Sequence, residues 1–105
     1  MPLKIITTAG ARVRLSDTSV KVTRVNMLFA PTNDSTTIVY GGYAGEANNV
    51  GASVSSSAYD FALNSAVREL TIGEGASLGT SIDLSNVWLD CSKSGDGVVW
   101  FSEVL

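Results

Sequence analysis

Val87-Trp88-Leu89-Asp90-Cys91, then Ser92-Lys93-Ser94-Gly95-Asp96-Gly97, then Val98-Val99-Trp100-Phe101-Ser102: this stretch decides the fold class. Its two outer runs are rich in β-branched and aromatic residues, which suit a half-buried pleated surface. The segment between them holds two glycines that can take positive φ without a Cβ clash. Read alone, it predicts a β-hairpin. The whole tail from Leu70 to Leu105 has the same make-up, with short apolar runs cut by Gly-rich turns.

Working back along the chain, the same grammar recurs. Leu3 to Thr8 reads as a short strand or an extended arm, with Pro2 at its exposed start. Ala11-Arg12-Val13-Arg14-Leu15 alternates strictly, which puts Val13 and Leu15 inward and both arginines outward. Ser16 to Ser19 is a turn cluster. Val20 to Ala30 is the longest strand, and its apolar residues change phase near Thr23-Arg24, which predicts a β-bulge. Pro31 to Ser35 turns the chain. Thr36 to Tyr40 is a further strand, expected to stop at Gly41-Gly42.

From Tyr43 to Ser57 small residues dominate, so a long loop is expected, with Val50 and Val54 as its anchors and at most one edge strand. Ala58 to Leu63 places Tyr59, Phe61 and Leu63 in period two, as in a strand, and a short helical turn fits around Ser65–Glu69. Leu70 to Ile72 leads into a glycine turn, Ala76 to Asp83 is a strand with Leu78 and Ile82 inward, and Leu84 to Asn86 is a turn. About eight short strands with no long helix predict an all-β fold. The favoured form is a compact antiparallel β-sandwich, jelly-roll-like, in one domain spanning residues 1–105, with 1–10 as a possible arm. An immunoglobulin-like sandwich is the second choice.

The chemistry is sparse. The 105 residues include no histidine, which removes Ser–His and Cys–His nucleophile pairs and the usual neutral-pH base. A single cysteine, Cys91, permits no intrachain disulfide, and its phase with Val87 and Leu89 predicts a buried thiol. Asp83, Asp90, Asp96 and Glu103 have no calcium-loop spacing and read as solvated turn and strand acids. Gly73 to Gly79 misses the dinucleotide fingerprint by one residue and precedes a strand, so it reads as a turn. No metal, cofactor or catalytic residue is expected. The short apolar runs exclude a helical membrane span, and MPLKIITTAG lacks the apolar core of a signal peptide, which predicts synthesis in a cytoplasm.

Charge is divided along the chain. Residues 1–33 carry five cations against Asp17, a balance of +4, whereas residues 34–105 carry two against nine acids, a balance of −7. Such a chain either pairs with copies of itself or an acidic neighbour, or interleaves its two halves on folding. Overall acidity and the lack of aromatics among the early cations argue against nucleic acid. Trp88 is out of phase with Val87 and Leu89, and Trp100 and Phe101 point to opposite faces, so at least one ring lies outside a simple core. Arg12, Arg14, Lys21, Arg24, Trp88 and Trp100 are therefore the candidate interface residues.

The segments Arg12 to Leu15, Thr37-Ile38-Val39-Tyr40-Gly41-Gly42, Ile72 to Leu78, and Asp83 through Phe101 together resemble small structural proteins of tailed bacteriophage virions. The resemblance covers most of the chain except Tyr43–Ser57. It implies a capsid decoration (cement) protein on the outer head shell, partnered by the major capsid protein and by copies of itself in a dimer or trimer. It implies no catalytic residue and a place in the virion. The alternatives are a minor neck, tail or baseplate protein, or a carbohydrate-binding module using Trp88, Trp100 or Tyr59.

Overall fold

The computed structural model describes residues 3–6, 8–45, 49–73 and 82–104. Among these residues nine strands form: β1 (Leu3–Ile5), β2 (Val13–Arg14), β3 (Lys21–Phe29), β4 (Val39–Tyr43), β5 (Phe61–Leu63), β6 (Glu69–Gly73), β7 (Ile82–Asp83), β8 (Val87–Cys91) and β9 (Gly97–Val104). Single 3-10 turns occupy Gly51–Ser53 and Leu84–Asn86. One antiparallel sheet runs β1-β9-β3-β6, with β7 also paired to β3, and the other runs β2-β8-β4-β5. Because β9 holds one side of β3, β6 and β7 share the other, at Arg24–Leu28 and Lys21–Val22 respectively.

With β7 set aside, the first strand pairs with the last, the second with the second-last, the third with β6, and β4 with β5. This nesting, divided alternately between two sheets, is the jelly-roll wrap. The expected bulge is present: the β3–β9 register shifts between Val22 and Arg24, and buried Thr23 is the extra residue. The core lies between the sheets. Val22, Val25, Met27 and Phe29 of β3 and Val98 of β9 face Val39, Leu63, Val87, Leu89 and Cys91 from the opposite sheet, with Ile6, Leu15 and Leu84 closing the ends.

Three expectations need correction. The Val87–Ser102 segment is no hairpin: β8 and β9 lie in different sheets, and Ser92–Asp96 arches between them. The arch is gripped from both sides. Gly95 N–H donates to the Ile6 carbonyl and Ile6 N–H to the Asp96 carbonyl, while Ser92 N–H donates to the Ile38 carbonyl. Asn33 then brackets Gly97, its amide oxygen accepting from Gly97 N–H and its amide nitrogen donating to Gly97 C=O, each at 2.8 Å. Asp96 also accepts from the Thr37 hydroxyl and the Asp34 amide. These bonds fix the chain across the gap and override local pairing.

Second, Gly41 and Gly42 do not stop β4 but lie inside it. A Cβ on Gly41 would overlap the Phe61 ring, and one on Gly42 would meet the Gly51 carbonyl oxygen at 2.9 Å. The glycines admit a neighbour's close approach. Third, Ser65–Glu69 makes no helical turn: Asn64 Oδ1 accepts the amides of Ala66 and Val67, and β6 begins at Glu69. Of the two readings of the first residues, strand or arm, the strand holds at residues 3–5, which form edge strand β1 against β9. The expected strand from Ala76, including Leu78, and the Gly73–Gly79 turn lie outside the described residues after Gly73, except that Ile82 and Asp83 form β7 with Ile82 buried.

Candidate interaction surface

The two sheets share an edge at β1 and β2, each of which has one strand neighbour among the described residues. The alternation in residues 11–15 sets what this edge presents. Leu15 is buried and Val13 half-buried, while Arg12 and Arg14 stand in solvent, as expected. Leu15 N–H donates to the Val87 carbonyl at 2.7 Å, so Leu15–Val87 is a hydrogen-bonded pair of the β2–β8 ladder. Antiparallel ladders alternate, which makes Arg14–Trp88 a non-hydrogen-bonded pair with closely spaced side chains. The Arg14 guanidinium carbon accordingly lies 4.9 Å from the centroid of the Trp88 ring. Such a cation–π contact at an exposed site contributes about 0.5–1 kcal/mol.

Around this pair is a groove of about 440 Å³ lined by Lys4, Arg12, Val13, Arg14, Asp17 and Trp88. Lys4 comes from β1, so the lining spans both sheets at their common edge. Three cations surround one carboxylate and one large ring. Apart from Lys4 and Asp17, these are residues whose charge or phase marks them in the sequence. Lys4 carries no such mark, because it reaches the groove only through the long-range pairing of β1 with β9.

The remaining candidates lie elsewhere. Lys21 is exposed on β3, opposite Asp83, and Arg24 is opposite Gly73 and Glu103, both in the other sheet. Trp100 is half-buried and packs against the core from β9, so it is not the outward ring. Phe101 is, at 48% exposure. It lines a smaller cavity of about 110 Å³ with Arg24, Asn26, Thr71 and Ser102.

The outer face of the β2-β8-β4-β5 sheet is partly roofed by the segment after β4. Val54 is buried there, with the Gly51–Ser53 turn against β4 and β8. The Asp60 carboxylate ties the roof down by accepting from Val50 N–H and Tyr43 N–H at 3.0 and 2.9 Å. The reading of Val54 as an anchor is thus correct, whereas Val50 is half-buried. Residues 46–48 lie outside the described set. Tyr59 is exposed beside Tyr40, with centroids 5.1 Å apart and planes at 43°.

The acids act locally. Asp90, 3% exposed, accepts from the Gly10 and Cys91 amides. Asp83 caps the Leu84–Asn86 turn, and hydrogen bonds from the Ser19 hydroxyl first, then from Ser85, lower its carboxyl pKa from 3.8 to about 2. The Thr36 amide and hydroxyl, with Lys93 at 3.1 Å, lower Asp34 equally. Cys91 is a buried free thiol whose pKa is raised, chiefly by desolvation. Comparison with protein-family models, curated proteins and solved structures returned no match.

Proposed function

We propose that the protein is a non-enzymatic structural module that docks on a larger, acidic protein surface, and that this surface is the outer shell of a bacteriophage head, which it cements. The observation that carries the reading is the cationic, tryptophan-bearing groove at the β1–β2 edge. Three cations there give a site suited to acidic patches on a capsid subunit, and the Trp88 ring supplies apolar area. The jelly-roll wrap recurs in virion proteins, although a fold by itself assigns no function. The chain also has no histidine and one buried thiol, which leaves few groups for nucleophilic catalysis. Self-association of copies around a symmetry axis of the shell belongs to the same reading.

Purified protein added to expanded empty heads of the virus that encodes it should saturate at a fixed ratio and raise the melting temperature of the heads. Absence of both would overturn the proposal. A neck or tail location would show as a dozen or fewer copies per virion where the shell demands hundreds. The carbohydrate reading has less support. Trp100 packs inward, the Trp88 ring carries Arg14, and Tyr59 leans on Tyr40, so these rings do not build one sugar platform.

A further inference from the structure

We infer, resting on the docking role proposed above, that β2 is a strand-addition site which takes an extended acidic segment of the partner as an extra strand of the sheet. The ladder geometry carries this. Leu15 directs its N–H to Val87, and Val13, two residues earlier and opposite Leu89, shares that orientation. The N–H and C=O groups of Arg12 and Arg14 therefore point away from β8, along the open edge. Among the described residues no turn, loop or cap hydrogen bond engages either backbone amide. An incoming strand finds two donors and two acceptors at the spacing of a ladder.

The side chains select its chemistry. Arg12 and Arg14 project to one face two residues apart, about 6.7 Å in an extended chain. An added strand with acidic residues at every second position brings its carboxylates to the same spacing on the same face. Lys4, from the opposite sheet, closes the groove with a further cation. The same charges disfavour the edge of a second copy, because two cationic edges repel where they pair. The occupant is thus an acidic segment of a different chain, held by main-chain bonds and read by charge.

The test uses the full-length protein and a short peptide alternating glutamate with threonine. Saturable binding is expected, with the amide resonances of Arg12 and Arg14 shifting on titration. A peptide of identical side chains, N-methylated along its pairing edge, should bind at least about tenfold more weakly, since it keeps the charge and loses the ladder bonds. Arg14→Glu should weaken the unmodified peptide by a similar factor with the fold unchanged by circular dichroism, whereas Lys21→Glu, on the other sheet, should leave affinity within about twofold. Equal binding of the methylated peptide, equal losses for Arg14→Glu and Lys21→Glu, or no binding at all would overturn the inference. Heads that bind the protein without competition from the peptide would also overturn it, leaving the docking role intact. Peptide binding without head binding would do the reverse.

Discussion

Gly97 begins β9 at the point where that strand receives β1, opposite Ile5. A Cβ at this position would overlap the Lys4 carbonyl oxygen, a backbone atom that moves only if β1 does. Gly97→Ala is therefore expected to cost about 2–3 kcal/mol, seen as a lower urea midpoint. An unchanged midpoint would show that β1 yields freely. Asp34 and Asp83 make a second prediction at this scale. Each carboxyl is lowered from 3.8 to about 2 in the folded chain, so each contributes stability that is present above pH 4 and lost as pH falls from about 4 towards 2. With no histidine, stability should be nearly flat between about pH 5 and 8. Asp83→Asn should flatten the acid limb of a melting-temperature profile, and a limb of unchanged slope would contradict the assignment. Cys91, buried with a raised pKa, should react with a thiol reagent only on unfolding.

Between elements, the arch from β8 to β9 is the feature that local sequence hides. The strands themselves are legible, since Val87–Cys91 and Val98–Ser102 have the composition and phase of strands. Their pairing is not, because a glycine turn fits a hairpin and an arch equally well. What distinguishes them is Asn33, more than sixty residues away, whose amide brackets Gly97. Asn33→Ala removes both bonds and leaves the Gly97 amide without its acceptor, while the Gly97 carbonyl still accepts from Ala30 N–H, at an expected cost of about 1–3 kcal/mol in denaturant unfolding. Asn33→Asp should not rescue, because a carboxylate cannot donate to the Gly97 carbonyl. The bulge in β3 was readable from the phase change at Thr23-Arg24, a local signal. The continuation of β4 through Gly41-Gly42 was not, because its cause is the Phe61 ring on a partner strand. Of the candidate interface residues, Arg12, Arg14 and Trp88 come together through the long-range β2–β8 pairing, while Lys21, Arg24 and Trp100 are carried to other faces by β3 and β9.

Across the whole molecule, nested pairing explains how a chain with a basic start and an acidic remainder gathers cations at one edge. The wrap makes the two earliest strands the outer strands of both sheets on one side, so Lys4, Arg12 and Arg14 meet although the sheets differ. The β3 cations are carried to the middle of the other sheet, where they stand opposite Asp83 and Glu103 in register. Folding thus interleaves part of the charge and concentrates the rest at the groove. The most direct measurement is hydrogen–deuterium exchange of the intact protein, free and bound to heads. New protection over residues 11–15 on binding is predicted, with Phe101 and its β9 neighbours unchanged. Protection confined to β9 and β6, with residues 11–15 exchanging as in the free protein, would place the docking face on the other sheet and contradict the account.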